Sequence, residues 1–472
     1  MLRNRLVDIE IPEQAPFAYD KLGRKECASN FITIAQMYAI SGCVLSLNGE
    51  WGSGKTTFIK MVMQEMKNRG FHPLYFNAWE NDYVADPLIA LLSEIKEIAP
   101  LSKKWDSVMN NGGKIIASMA SSLFKSLLKN KLGIDSDILS AGIDEATKLM
   151  KADIDDFANQ KKTFQDFKKS LTNYITDNTD TDKPVVFFVD ELDRCNPCFA
   201  VKVLERIKHL FDIPNVIFVL SISKRQLESA IQGYYGSNNI NAANYLRRFI
   251  DVEFTLPIPN IENFCQYLYE YYDFSKVFRN NQRLQYNEFQ YDEDNFNKMA
   301  YILVKNSDVD LRTIDKIFAH TRLALFAFSN NTYIIPDVFF MMCYFKVVDP
   351  TFFSAIENHE FKAQQFLYEL EKHLPITILS KGDDYDYTAR AMTYSIVTLI
   401  HMYDINARGI ESEKIFTPQD VDVQKLTCKI IDEKLFSEAY KWECGRRGLR
   451  EIPLDHIIKK VKFQDTFVNT NI

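Results

Sequence analysis

The sequence lacks what a membrane span, a secreted scaffold or a nucleic-acid coat would need. No window supplies the roughly 20 consecutive apolar residues that cross a bilayer. The most apolar piece of the middle region, Ile115 to Phe124, contains three serines and lies between Lys114 and Lys125. No signal-peptide pattern is present at the N-terminus, so a cytoplasmic protein without an integral membrane span is expected. Positive charge is not in excess: 56 Lys and Arg against 63 Asp and Glu give a net charge of -7. With both signs interspersed, non-specific coating of DNA is excluded, while a local basic contact stays open. Eight cysteines in 472 residues without a secretory signal read as reduced thiols. Cys195-Asn196-Pro197-Cys198 has no second Cys or His pair to complete a zinc site, and the seven histidines show no ligand spacing. A repeat of about 20 to 50 residues is also missing, which excludes a detectable solenoid.

What is present is a chain with 46% hydrophobic residues, enough to bury large cores in about two to four domains. Near its start, the apolar run Val44 to Leu47 leads into Asn48-Gly49-Glu50-Trp51-Gly52-Ser53-Gly54-Lys55-Thr56-Thr57. Glycines at this spacing let successive backbone N–H groups turn inward toward phosphate oxygens, and the helix that follows adds the positive end of its dipole. Lys55 is placed to reach the β- and γ-phosphates, and the Thr56 hydroxyl can take one position on Mg²⁺. The pattern Phe58, Ile59, Met61, Val62, Met66 supplies the helix that such a loop requires.

A second element predicts the same chemistry. Pro184 opens the continuous apolar run Val185-Val186-Phe187-Phe188-Val189, typical of a strand buried on both faces of a parallel sheet. It ends in Asp190-Glu191-Leu192-Asp193-Arg194. Asp190 fits a Mg²⁺ carboxylate at a strand tip, and Glu191 fits the general base or water-positioning group for attack on a γ-phosphate. Further strands are expected at Leu74 to Trp79, Val216 to Ile222 and Phe249 to Leu256, with a helix from Val201 to Phe211. This order predicts an α/β fold with a parallel sheet and helices on both faces. Ligands in such sheets sit at the carboxyl ends of the strands. Asn77, Glu80, Asp82, Asp190, Glu191 and Ser221 or Ser223 should therefore lie near the nucleotide.

Residues 16 to about 330 resemble the KAP P-loop NTPases, a branch of the STAND-like ATPases named after a neuronal membrane scaffold and a plasmid phage-exclusion protein. Four segments carry the resemblance: Asn48 to Thr57, Tyr75-Phe-Asn-Ala-Trp79 with Asp82, Val189-Asp-Glu-Leu-Asp-Arg-Cys195 with Pro197, and Tyr245-Leu-Arg-Arg-Phe-Ile250 leading into Phe254-Thr-Leu-Pro257. The resemblance implies an ATPase in which Gly49 to Thr57 bind the nucleotide and Thr56 and Asp190 hold Mg²⁺. Glu191 and Lys55 would serve hydrolysis. Arg247 or Arg248 looks like the family's basic residue near the γ-phosphate, with a solvated helix surface as the alternative. Asp310-Leu-Arg-Thr-Ile-Asp-Lys316 resembles the post-sheet helix and makes Arg312 a candidate lid sensor. ATP as the base choice rests on the resemblance and on the lack of an Asn-Lys-x-Asp segment.

The chain departs from the family pattern at Glu191, where many members have a second Asp, at Ser223, where relatives often have Asp, and at Leu311, which replaces a proline. Many members also insert transmembrane helices between the two nucleotide motifs. Here the insert, about Leu101 to Phe164, reads as a soluble helical hairpin, with a membrane-surface face as the alternative.

Three domains are expected: an NTPase domain over 1–257 carrying the insert, a helical lid over 258–357, and a mostly helical region over 358–472. The aromatic stretches Ile261 to Phe278 and Phe326 to Phe353 have apolar or acidic neighbours, which suits packed helices better than base-stacking platforms. Gly382 to Tyr387 is an acidic loop without the glycine and terminal glutamate of a calcium loop, and Trp442 to Arg450 is a compact basic stretch. Three function classes follow. The first is an ATP-hydrolysing switch with self-association, for which family resemblance suggests phage exclusion with a separately encoded effector protein. The others are a nucleotide-gated scaffold with little turnover and a nucleic-acid-stimulated motor.

Overall fold

The computed structural model describes residues 10–38, 41–84, 86–99, 101–116, 161–180, 182–237, 240–257, 259–305, 307–374, 385–407, 415–416, 424–445 and 452–462. Most of the predicted insert hairpin, residues 117–160, lies outside them, as do 382–384 of the acidic loop and 446–450 of the basic stretch. The chain divides into two compact units, one of residues 9–20 and 24–258, the other of residues 21–23 and 259–472.

The first unit is built on five parallel strands: β1 (Cys43–Asn48), β2 (His72–Asn77), β3 (Val185–Asp190), β4 (Val216–Ile222) and β5 (Val252–Thr255). They lie in the order β2-β3-β4-β1-β5. Every position of β3 and β4 is buried, as their unbroken apolar runs require of central strands. One face packs Leu45, Val186, Phe188 and Val219 against Phe31 of the helix Lys25–Met37 and Phe58 and Val62 of the helix Lys55–Asn68. The other packs Phe187, Val189, Phe218 and Leu220 against Leu91 of the helix Pro87–Lys96 and Leu204 and Ile207 of the helix Pro197–Leu210. The ends of the insert join this second core. Residues 104–116 and 161–176 are helical, and Trp105 meets Tyr174 with ring centroids 5.1 Å apart.

Two strands differ from their sequence patterns: β2 runs over His72–Asn77 rather than Leu74 to Trp79, and β5 is shorter than expected. β2 stops at Asn77 because the Asn77 Oδ1 accepts from the backbone N–H groups of Trp79 and Glu80, bending Trp79–Asn81 into a 3-10 turn. β5 begins only at Val252. Phe249 and Ile250 are still tied to Leu246, the last residue of the helix Ala242–Leu246, by backbone bonds of 2.9 and 3.1 Å.

Every regular element among the described residues of the second unit is helical. The aromatic stretches form its core. Phe274, Phe296, Phe318 and Phe340 interlock, with Phe274 and Phe296 at 4.8 Å and Phe296 and Phe340 edge to face at 5.3 Å. Helix Pro336–Val348 buries every residue from Val338 to Phe345.

Candidate functional site

The carboxyl ends of β1, β3 and β4 meet at the loop Gly49–Gly54. Gly52 and Gly54 take φ of 75° and 81°, which other residues adopt at a cost, and Gly54 caps the helix Lys55–Asn68 in the left-handed region. Gly49 is needed for a different reason: a Cβ there would stand 2.8 Å from Ser53 Oγ. That hydroxyl is buried without a hydrogen-bond partner. Lys55 folds back on the loop, its ammonium donating to the carbonyls of Gly49 (2.6 Å) and Glu50 (3.1 Å). Burial pulls the Lys55 pKa below its ordinary value, against the opposing fields of Asp193 and Asp190.

Although β4 separates β1 from β3, the two motifs meet. Asp190 is 1% exposed, and its Oδ2 accepts from Thr56 Oγ1 at 2.8 Å and from the Tyr75 hydroxyl at 3.2 Å. Burial, reinforced by Asp190, raises the Tyr75 pKa, so that the phenol stays a donor to the carboxylate. A hydroxyl and a carboxylate side by side beside a phosphate loop are hard oxygen donors of the kind Mg²⁺ takes. The residues present thus fit a Mg²⁺–nucleotide.

Glu191 follows at φ 60°, an unusual backbone state for a non-glycine residue. Its carboxylate is held from two sides, by Arg194 Nη1 at 2.9 Å and by Asn77 Nδ2 at 3.4 Å. The Arg194 guanidinium also lies over the rings of Trp51 (5.9 Å) and Trp79 (5.7 Å), both about half exposed. Trp51 in turn donates its indole N–H to Asp193 Oδ2 at 2.5 Å. The same Asp193 oxygen accepts from the Ser223 backbone N–H at 3.0 Å, and Ser223 Oγ lies 3.5 Å from Glu50 Oε2. Ser221 Oγ is buried without a partner.

Other sequence candidates stand apart from this network among the described contacts. Asp82 accepts from the Asn196 backbone N–H at 3.3 Å, and Glu80 donates its own N–H to Asn77 and adds a weak field at Tyr75. Arg247 and Arg248 are exposed at the end of helix Ala242–Leu246; Arg247 donates to Asn244, and the Arg248 carbonyl accepts from Lys208. Arg312 is exposed in the first turn of the helix Leu311–Ala324, in the second unit. Thr57 lies in the first turn of the helix Lys55–Asn68. The Cys195 thiol is pushed up to about 12 by burial and lies 3.6 Å from the Glu191 carbonyl, while Pro197 opens the next helix behind the Asn196 cap. No cluster of three metal-ligating side chains of the His, Cys, Asp and Glu kind occurs among the described residues.

Arg24 gave no signal in the sequence. It is 2% exposed, its pKa pulled down to about 10 by burial, and it donates to the carbonyls of Ser53 (2.8 Å) and Pro257 (3.1 Å). It braces the phosphate loop from behind, across 29 residues of sequence in one direction and 233 in the other. Asp193 and Arg194 stand in the segment Asp190 to Arg194, but nothing local in it marks their contacts with Trp51, Ser223 and Glu191.

The Phage T7 exclusion protein of Escherichia coli (strain K12) is 21% identical over 233 residues, 46% of this chain and 30% of that protein, so the match spans under a third of the relative's length. The Aeropyrum pernix ORC2 protein overlays loosely in two solved forms. Its ADPNP-ADP complexes give 12% identity, 95% coverage of both chains and a TM-score of 0.33, and its ADP form gives 11%, 95% and 0.31. No helix among the described residues is long and apolar enough to cross a membrane. The KAP family P-loop domain matches residues 24–323, well over half of the sequence, and this chain therefore belongs to the KAP family of P-loop NTPases.

Proposed function

We propose that this chain binds Mg²⁺-ATP on the loop Gly49–Thr57 and hydrolyses it to ADP and phosphate as a conformational and assembly switch. The observation that carries the reading is the 2.8 Å contact of Thr56 Oγ1 with Asp190 Oδ2, with the Glu191 carboxylate on the adjacent residue. Thr56 and Asp190 would hold Mg²⁺, which when bound neutralises charge on the β- and γ-phosphate oxygens. Lys55 exchanges the carbonyls of Gly49 and Glu50 for phosphate oxygens, and its positive charge offsets the charge of the nucleotide. Glu191 orients and deprotonates the attacking water once Asn77 and Arg194 release it. Arg247, Arg248 and Arg312 are proposed as γ-phosphate sensors within this chain or toward a second copy.

The two ties on Glu191 also favour a second reading, a nucleotide-gated scaffold in which ATP is held and turned over rarely. The similarity to a phage exclusion protein supports a role in anti-phage defence with a separately encoded effector. Self-association follows from the switch reading. Its test is the size of the purified chain in solution with and without a non-hydrolysable ATP analogue, in wild type and in Lys55→Ala. Growth in size with the analogue, lost in the variant, is the expected result; an unchanged size in wild type while the analogue binds overturns the assembly switch. Turnover stimulated by DNA or RNA, with binding that weakens steeply as salt rises, would instead point to a nucleic-acid motor.

A further inference from the structure

The second unit holds a cavity of about 780 Å³, within the size range of small-molecule sites. Its lining is chemically ordered. Asp292 and Asp337 each stand in the first turn of a helix, Asp292–Lys305 and Pro336–Val348. Asp292 is already matched, since the buried Arg283 donates to it and also reaches the Thr332 carbonyl at 2.8 Å. Asp337 has no such cation in its described contacts; its Oδ2 accepts only from Ser395 Oγ at 2.7 Å. The residue two before it, Ile335, sits at φ 50°, a costly state for a β-branched side chain directly ahead of Pro336. Such strain persists where surrounding structure fixes a functional group, here the carboxylate facing the cavity.

Aromatic rings and cations complete the lining. Trp442, 44% exposed, packs on Tyr394 with centroids 5.2 Å apart. Lys298 lies 3.6 Å from the centre of the Tyr387 ring, and Arg390 lies 5.5 Å from that of Tyr394. Lys298 is half-buried, and the exposed Arg390 lies 3.8 Å from Glu438 in a solvent-screened pair. Two lining carboxylates, the half-buried Asp337 and the exposed Glu288, have no cation among the described contacts. Asp337, an edge-to-face pair of rings and two cations suit a bipolar ligand: a flat ring that donates hydrogen bonds at one edge and carries an anion at the other end. Guanine presents two adjacent N–H donors to a carboxylate, where adenine, cytosine and uracil present one donor group each. A phosphate matches the lysine and arginine.

We propose that this cavity binds a nucleoside monophosphate, guanine by preference, with its base edge on Asp337, its ring stacked on Trp442, and its phosphate on Lys298 and Arg390. The site is separate from the phosphate loop in residues and in chemistry, and it stands whether or not the chain hydrolyses ATP.

Isothermal titration of the full chain with GMP, AMP, CMP, UMP and inorganic phosphate tests it in wild type, Lys55→Ala, Asp337→Asn, Trp442→Ala and Trp442→Phe, with each variant's melting temperature as a folding check. Saturable GMP binding is expected, retained in Lys55→Ala and Trp442→Phe and weakened at least about tenfold in Asp337→Asn and Trp442→Ala. Three results overturn the proposal. They are no saturable GMP binding, GMP binding that disappears in Lys55→Ala but survives Asp337→Asn, and phosphate alone binding as well as GMP.

Discussion

The nucleotide site draws on the consecutive residues Gly49 to Thr57 and on two adjacent carboxylates at one strand end, whereas the C-terminal cavity collects single side chains from helices beginning at Asp292, Pro336, Tyr385 and Glu433. The first site works largely through backbone: N–H groups, left-handed glycines and a helix end, all of which demand particular residues in a fixed order. The second works through side chains alone, and no local order is needed to bring Lys298, Asp337 and Trp442 together. A backbone-built site is therefore visible as a motif, and a side-chain-built one becomes visible only after folding.

That contrast can be broken at several points. The largest effect is expected at Lys55. Removing a buried, charge-assisted contact to phosphate in Lys55→Ala should weaken ATP binding about a hundredfold, measured by titration calorimetry. Unchanged affinity would mean that the loop is not the phosphate cradle. Next comes Arg24, the brace that has no motif. Arg24→Ala leaves the Ser53 and Pro257 carbonyls without their donor and should cost about 2–3 kcal/mol in urea unfolding, so a change below about 0.5 kcal/mol would remove it from the architecture of the site.

A smaller and opposite effect is expected at Arg194. Freeing Glu191 from an ion pair worth roughly 1 kcal/mol should raise basal phosphate release about fivefold in Arg194→Ala. The same change should alter tryptophan fluorescence, because the guanidinium lies over Trp51 and Trp79. A fall in turnover would make Arg194 a participant rather than a restraint. The smallest effect is expected at Cys198, an exposed thiol in the first turn of the helix Pro197–Leu210, in a segment that merely resembles a metal half-site. Cys198→Ser should leave melting and turnover as they are, and stoichiometric zinc in the wild-type protein would contradict that.

Much of the nucleotide unit was legible in the sequence because its signals are local. The runs Val185 to Val189 and Val216 to Ile222 are fully buried strands, and Gly49 to Thr56 makes the expected turn between β1 and the helix Lys55–Asn68. The strand ends differ from the sequence pattern where another acceptor competes with the ladder: the Asn77 side chain bends the chain at Trp79, and the Leu246 carbonyl at the end of a short helix holds Phe249 and Ile250. Arg24 escaped notice because both of its acceptors are backbone carbonyls, which leave no mark on residue type. The restraint on Glu191 escaped because it comes from Asn77 on β2 and from Arg194, three residues on, rather than from the phosphate loop. The helical unit offered only composition: Phe274, Phe278, Phe339 and Phe340 lie in its core as their apolar surroundings suggest, while Lys298, Asp337 and Arg390 carry no local pattern.

The central claim, that Glu191 makes this P-loop domain an enzyme, is tested most directly by steady-state phosphate release from Mg²⁺-ATP by wild type and Glu191→Gln. The account predicts a loss of about a hundredfold or more in the variant, with nucleotide affinity retained. Equal and slow release from both proteins, each still binding ATP, would contradict it and leave the chain a nucleotide-gated scaffold.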